Sequence, residues 1–510
     1  MATSGAAAAL NRCTVGDLSE RMDALKVKVK WGKEVYDVEV DLKEDPEVFR
    51  AQLFALTGVI PDRQKVMFKG AILKDSWDSM KLKEGVTVLM MGTKDDVPQA
   101  PTEKTVFMED MDDSEISTAF KLPTGLTNLG NTCYMNAVVQ CFKTVPELTG
   151  QLEKFTGEVQ LAHPSAKTLT SALRDLYRNM GSSCTTAPLV LLHALHTLFP
   201  RFAEKGEHGV NMQQDANECW TEMMRMLQQQ LQPIEHVGLD VTKNDKAATT
   251  TSTVNQKNLI DQLFGGKLNV SLKCMESEEE LETQSTEDFL QLSCFISSDV
   301  RYLIAGLKLR MQESITKMSS TLNRDAVYQK TSKICRLPAY LTVNLVRFFY
   351  KEKQSVSAKI LKNVAFPMML DVYELCETDL QQRLLPQREK FKKWDCEQTE
   401  KKIQGAGEDG SNKADDAEQE SHAEPFSFED DPGSNNSGFY QLKAVLTHKG
   451  RSSSSGHYVA WIRSHHKEWF KCDDDVVTVV PKEEILKLGG GGDWHVAYVL
   501  LYGPRILGQE

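Results

Sequence analysis

Two boxes far apart in this chain make chemical sense only if they meet, and that requirement constrains the fold more than any other feature. The first is Gly125-Leu126-Thr127-Asn128-Leu129-Gly130-Asn131-Thr132-Cys133-Tyr134-Met135-Asn136. Gly130 and Asn131 suit a turn, and Tyr134 to Thr144 reads as a helix carrying apolar residues. Cys133 therefore stands at a helix N-terminus, where the positive end of the dipole favours the thiolate, the nucleophilic form. Asn128, just upstream, is within reach of an oxyanion formed at that sulfur. A lone cysteine at a turn is more often an inert buried residue, and the far end of the chain decides between the two readings.

There the sequence runs Gly456-His457-Tyr458-Val459-Ala460-Trp461, then Trp469-Phe470-Lys471-Cys472-Asp473-Asp474-Asp475. His457 opens an expected strand, Ser464 to Lys467 form an expected turn, and Glu468 to Cys472 the returning strand. In a symmetric hairpin centred on residue 465, position 457 faces position 473. Directly paired residues have Cβ atoms about 4.5–5.5 Å apart, so Asp473 is placed to orient the imidazole. Asp474 is the rival orienter, and alternation points it to the other face. Nucleophile, base and orienter are the parts of a cysteine-protease triad. The triad alone could equally serve a transglutaminase or an acetyltransferase. His448 is a second histidine nearby; the Gly-His-Tyr context and the hairpin register favour His457 as the base and leave His448 structural.

Residues 24 to 93 read as a unit of their own. Leu25 to Trp31 alternates apolar and polar, as a half-buried strand does. Gly32-Lys33 is a turn signal, and Val35 to Leu42 alternates again. Pro46 to Leu56 reads as a helix with Val48, Leu53 and Leu56 facing inward. Short strands at Lys65 to Phe68 and Val86 to Met91 complete a β-grasp. The segment resembles a ubiquitin-like domain, with Gln64-Lys65-Val66-Met67-Phe68-Lys69-Gly70 similar to the matching stretch of ubiquitin. It runs on into Gly92-Thr93-Lys94-Asp95 without a terminal Gly-Gly, which excludes a conjugated modifier and leaves a fused binding module. Met67, with Met90 or Met91, falls near the apolar face that ubiquitin offers its partners.

The rest of the chain is organised around these units. Residues 1 to 23 are expected to be a disordered extension, and 94 to 122 an acidic linker containing Pro98 and Pro101. Residues 240–257 and 397–436 are polar and low in complexity, and they read as disordered insertions. The excess of 72 acidic over 60 basic residues gives a net charge of −12, which argues against a nucleic-acid partner. The eleven cysteines include no CxxC pair, a pattern suited to reduced thiols. No apolar run approaches the ~20 residues that span a bilayer.

Five boxes then occur in order: the cysteine box, Gln213-Gln214-Asp215-Ala216-Asn217-Glu218, Leu337-Pro338-Ala339-Tyr340-Leu341 to Arg347-Phe348, the histidine box, and Ala497-Tyr498-Val499-Leu500-Leu501-Tyr502. Together they resemble the catalytic domain of the ubiquitin-specific proteases, over residues 123 to 505. Within that family the chain most resembles the proteasome-associated member with an N-terminal ubiquitin-like domain. The fold this implies is α+β: a β-grasp ubiquitin-like domain, then a papain-like thumb–palm–fingers cysteine protease.

The resemblance implies a thiol-dependent deubiquitinase. Cys133 attacks the carbonyl of ubiquitin's C-terminal glycine, His457 acts as base, Asp473 as orienter, and Asn128 with the Cys133 N–H as oxyanion hole. Asp215 reads as the cap of an amphipathic helix, with Glu218 completing a capping box. The resemblance adds Asp215, Gln214 and Tyr458 as contacts to the ubiquitin tail. It also implies ubiquitin conjugates and the 26S proteasome as partners, the latter through the ubiquitin-like domain, and a cytoplasmic or nuclear location. Many relatives carry a zinc ribbon of two CxxC pairs in the fingers. Here that region offers Cys274 with Cys294 nearby, so no metal and no cofactor is expected. The loops Gly450 to Gly456 and Lys351 to Ser357 resemble two that obstruct the tail groove. The alternative reading is a non-catalytic, ubiquitin-binding regulator of the proteasome.

Overall fold

The computed structural model describes residues 24–93 and 122–508, apart from 75, 78–79, 161–164, 182–183, 207–208, 235–255, 352–355, 406–422, 453–454, 465–467 and 493. The expected N-terminal extension, the linker up to residue 121 and nearly all of the 240–257 insertion lie outside the described residues. Contacts divide the chain into two compact units, residues 1–107 and 108–510.

In the first unit, β1 (Ala24–Trp31) and β2 (Glu34–Asp41) pair antiparallel, with Trp31 opposite Glu34. Gly32 turns the hairpin at φ +57°, a conformation glycine adopts without strain. Helix α1 (Pro46–Thr57) follows, capped by the Asp45 carboxylate and ended by Gly58 at φ +71°. Strands β3 (Lys65–Phe68), β4 (Ala71–Ile72) and β5 (Thr87–Met91) complete a sheet ordered β2-β1-β5-β3-β4, with β1 and β5 parallel. This is the β-grasp. One expectation changes. The helix buries Phe49, Leu53 and Thr57, one residue per turn, and exposes Val48 and Leu56. Phe49 is the larger apolar group, and packing it against the sheet turns its neighbours outward. Met90 is core, whereas Met91 is exposed and Met67 half-buried.

The second unit begins with helices. A short strand β6 (Gly125–Leu126) leads to α2 (Cys133–Lys143), α3 (Pro146–Lys154) and α4 (Ala166–Met180). Strand β7 (Thr185–Thr186) pairs parallel with β6 and is followed by α5 (Leu189–Leu198), α6 (Ala216–Gln228) and α7 (Leu259–Phe264). Their apolar faces pack on one side of a large sheet, with Met135, Val138, Phe142, Leu173 and Met223 against Leu446, Ala460 and Leu501.

Strands β8 (Gly266–Cys274) and β9 (Thr283–Phe289) form half of a finger sheet. After β10 (Leu292–Phe295) and α8 (Leu303–Arg310), β11 (Gln312–Ser319) and β12 (Arg324–Arg336) supply the rest, in the order β11-β12-β8-β9. The large sheet continues with β13 (Leu341–Val346). It is followed by a hairpin, β14 (Phe348–Lys351) with β15 (Val356–Lys359), and then by β16 (Met369–Asp371). After helix α9 (Thr378–Gly405) come β17 (Phe439–Ser452), β18 (Ser455–Arg463), β19 (Trp469–Asp473), β20 (Val476–Val480), helix α10 (Lys482–Leu486) and β21 (Val496–Pro504). The sheet order is β10-β13-β21-β17-β18-β19-β20, with β16 also on β17. Its second face holds a separate core that includes Val343, Val445, Trp461, Trp469 and Leu500. Burial on both faces is why β21 reads as an unbroken apolar run rather than an alternating one.

The expectation of a disordered insertion over 397–436 is corrected at both ends. Helix α9 continues to Gly405, and Arg505 clamps its Asp395 at 2.5 and 3.0 Å. Residues 423–436 are packed: Ser434 and Asn435 are buried, and Arg336 holds Asp431 with two bonds of 2.8 Å. Composition flags these residues as polar, but here the polar groups cap turns and fill ion pairs.

Candidate active site

The cysteine box folds by local hydrogen bonding. Gly130 and Asn131 take left-handed conformations, φ +97° and +55°. The Asn128 Oδ1 accepts from the N–H groups of Gly130 and Thr132 at 3.0 and 3.2 Å, and the Thr132 hydroxyl accepts from Leu129 N–H at 2.9 Å. This tight turn ends at Cys133, the first residue of α2, which is 2% exposed. Strand β18 packs directly on that helix, and Tyr458 N–H points at the Cys133 sulfur at 3.5 Å.

His457 and Asp473 meet, though not in the expected register. Strands β18 and β19 pair Ala460 with Cys472 and Arg463 with Trp469. The hairpin is therefore centred one residue later, and Asp473 is a diagonal rather than a direct neighbour of His457. The slip moves each pairing by two positions, which preserves the face. His457 Nε2 lies 2.5 Å from Asp473 Oδ1, and Lys471 Nζ donates to Asp473 Oδ2 at 2.7 Å. The bond to Asp473, then that to Cys133, pushes the His457 pKa up to about 10 against some opposition from burial. The imidazole and the lysine hold the Asp473 carboxyl well below the usual carboxylate range. With Nε2 on the carboxylate, Nδ1 is left for the thiol.

Asp474 does not turn away as alternation predicts: it sits in the turn after β19, and its carboxylate comes within 4.8 Å of the side-chain atoms of His457 and Asp473. From φ +53° its two oxygens accept from Asn128 Nδ2 and Asn136 Nδ2, both at 2.8 Å. Leu126 N–H also bonds the Asp474 carbonyl at 2.8 Å. A side chain at Gly125 would stand 2.3 Å from the Asp475 carbonyl oxygen, so only glycine lets β6 pass this turn. The carboxylate thus fixes the Asn128 side-chain amide and ties it to α2. The sequence signal was the Asp473-Asp474-Asp475 run itself, but partners more than three hundred residues away cannot be read from spacing.

Beside the triad lies a cavity of about 530 Å³, lined by Arg201, Asp215, Glu222, Asn344, Phe348 and Tyr498 among others. Asp215 caps α6, accepting from Asn217 and Glu218 N–H at 2.7 and 3.2 Å, and also accepts from Tyr498 OH at 2.8 Å. Burial raises its pKa. The Glu218 side chain pairs with Arg201 at 2.5 Å. Gln214 is half-buried immediately before Asp215. The Tyr458 side chain is buried between His448 and Tyr498, with ring centroids 4.6 and 6.3 Å away, and at 1% exposure it packs behind Tyr498 instead of offering the expected contact to a ubiquitin tail. Lys359 bonds the His448 ring and carbonyl at 2.9 and 2.6 Å and the Gly450 carbonyl at 3.1 Å, tying the β14–β15 hairpin to the strand that leads into the Gly450 loop. Tyr498 and Lys359 were not singled out in the sequence.

Comparison with known proteins points the same way. Residues 124–502 match the family described as ubiquitin carboxyl-terminal hydrolase, and residues 25–95 match the ubiquitin family. The chain is similar to ubiquitin carboxyl-terminal hydrolase 14 of Caenorhabditis elegans, with 43% identity covering 95% of this chain and 94% of that one. It is similar to ubiquitin carboxyl-terminal hydrolase 6 of Arabidopsis thaliana, at 39% identity over 94% of this chain and 99% of that one. Ubiquitin carboxyl-terminal hydrolase 6 of Schizosaccharomyces pombe is 37% identical over the same shares, 94% and 99%.

Proposed function

This chain belongs to the ubiquitin carboxyl-terminal hydrolase family, and from that premise we propose a proteasome-associated, thiol-dependent deubiquitinase with Cys133, His457 and Asp473 as its triad. The observation that carries it is the meeting of His457 with both Asp473 and Cys133, near the cavity lined by Asp215 and Tyr498. His457 takes the Cys133 proton, and the thiolate attacks the C-terminal glycine carbonyl of ubiquitin. The new oxyanion is met by the Asn128 amide and the Cys133 N–H, a type of contact worth about 10²–10³ in rate. The imidazolium gives its proton to the departing lysine amine. Water, deprotonated by His457, then hydrolyses the thioester and frees ubiquitin. Asp215 and Gln214 would contact the ubiquitin tail in the groove, with Tyr458 packed behind Tyr498.

The ubiquitin-like domain supports the proteasome as partner, because it is a fused β-grasp that does not end in Gly-Gly. The described cysteines are all free, which suits a reducing compartment, and we assign the protein to the cytoplasm and nucleus. The tie that Lys359 makes from β15 to His448 and Gly450 supports a free enzyme held weakly active until proteasome docking moves this region. Two experiments test the reading. Ubiquitin bearing a C-terminal vinyl sulfone should label Cys133; an unlabelled protein would support the non-catalytic regulator instead. Deleting residues 1–93 should abolish most proteasome capture in a pull-down; undiminished capture would refute the assignment of that domain.

A further inference from the structure

Asp473 uses both of its oxygens, and only one is spent on the base. Oδ1 faces His457 Nε2 at 2.5 Å; Oδ2 accepts from Lys471 Nζ at 2.7 Å. Lys471 sits two residues earlier on the same strand, so its side chain leaves the same face of the sheet. Its ammonium also lies 5.9 Å from the Trp461 ring centre, so the same charged end has two partners. The carboxylate, by contrast, is partly exposed, at 29% of its side-chain surface. A half-solvated aspartate with one partner rotates readily about its last torsion, which is broad and roughly two-fold.

We propose that Lys471 is a positioning residue of the reaction: it pins the second oxygen of Asp473, so that the first remains on His457. The inference rests on the triad assignment above. Charge-assisted bonds at both oxygens fix the plane of the carboxylate, and that plane fixes the imidazole. The other groups around the pair cannot take over this task. Asp474, from the turn after β19, is committed to Asn128 and Asn136. His495, just before β21, is buried and held neutral by its surroundings, with its pKa pushed down to about 4 by burial and then by Lys471. His448 faces away toward Tyr458, and Cys133 approaches the imidazole from α2. Lys449, opposite His457 on β17, lies over the Trp494 ring at 5.3 Å.

The test is kinetic, on the full chain, with a ubiquitin C-terminal fluorogenic amide. Lys471→Met keeps the packed stem and removes the charge. It should lower kcat about ten-fold with KM nearly held, and Lys471→Arg should restore most of the loss. The basic limb of the kcat/KM profile, set by the His457–Asp473 pair, should move down by about half a unit or more in Lys471→Met, because the imidazolium loses its carboxylate. A limb that stays put would reduce Lys471 to packing, and a limb that rises would make it a charge brake; either overturns the proposal. In an Asp473→Asn background, Lys471→Met should have almost no further effect. Full additivity with an impaired Asp473→Asn would strike the present inference alone, whereas a fully active Asp473→Asn would strike the triad assignment and this inference with it.

Discussion

The Asp474 carboxylate grips the Asn128 side-chain amide at 2.8 Å and the Asn136 amide, one turn into the nucleophile's helix, at the same distance. One residue thereby locks Asn128, the proposed oxyanion donor, to the helix that carries the thiol. Asp474→Asn suits the left-handed backbone but can no longer accept at both oxygens. It should lower kcat by about 10- to 100-fold with little change in KM, approaching the loss from Asn128→Ala. Steady-state hydrolysis of a ubiquitin fluorogenic amide checks this, and a KM effect without a kcat effect would show that Asp474 shapes binding instead.

Cys133→Ala should abolish hydrolysis while leaving ubiquitin binding largely intact, because Cys133 is not among the residues that line the cavity of Asp215 and Tyr498. His457→Ala should be nearly as inactive, since triad members act as a unit. Calorimetric titration with ubiquitin alongside the kinetic assay separates the two effects. Appreciable turnover by the Cys133 variant would remove the nucleophile assignment.

The fingers should hold without metal. At the fingertip, Glu280 accepts from Tyr328 OH at 2.6 Å and Ser319 Oγ at 2.7 Å, while Glu276 accepts from Val327 N–H at 2.7 Å. Cys274 packs into a small core with Ala326 and Tyr328. Among the described residues, the one group of three potential ligands close enough to share an ion is His457, Asp473 and Asp474, which belongs to the active site. Elemental analysis should find no stoichiometric zinc, and the melting temperature should survive a strong chelator. One tightly held zinc per chain would contradict this.

Acid should destabilise the protein through two buried histidines. Burial and then Lys359 push the His448 pKa down to about 3, and burial and then Lys471 push that of His495 down to about 4. Both bind protons in the unfolded chain from about pH 6.5 but resist them in the fold, so their cost is nil above that pH and grows as pH falls. At pH 5 it reaches roughly 2 kcal/mol for each. His457 has the opposite sign: its raised pKa adds stability that is complete below pH 6.5 and disappears as pH rises toward 10. Scanning calorimetry between pH 7.5 and 5 should show a falling melting temperature, with a shallower fall in His448→Gln. An unchanged slope in that variant would exclude His448 as a source.

The chemistry-bearing residues were legible because each needs a particular local setting. Cys133 needs a turn before a helix, and His457 a strand facing an acid. Alternation points Asp474 away from His457, but the residue lies in the turn after β19, where alternation ends, and its carboxylate stays beside the pair; its partner was hidden because Asn128 belongs to a turn at the other end of the domain. The hairpin centre was misjudged by one residue, an error that side-chain alternation forgives in steps of two. In α1, Val48 and Leu56 were assigned to the core in place of Phe49, since one helical turn offers adjacent apolar residues and only tertiary packing selects between them. The 423–436 stretch read as solvated because charge alone does not disclose that Asp431 waits for Arg336.

Strand β21 has one further consequence, which concerns the order of synthesis. It follows both of its partners in the chain, yet it lies in the middle of the large sheet, hydrogen-bonded to β13 on one side and β17 on the other. The fully buried Arg347 donates to carbonyls of Ile360, Lys362, Gly489 and Ala497, so the same C-terminal residues also close the knot behind the groove. A nascent chain that stops short of residue 496 leaves two long strand edges open and Cys133 without an assembled partner sheet. Proteolytic competence therefore arrives all at once, when β21 has been made, and a chain that stops before it is a client for chaperones before it is an enzyme.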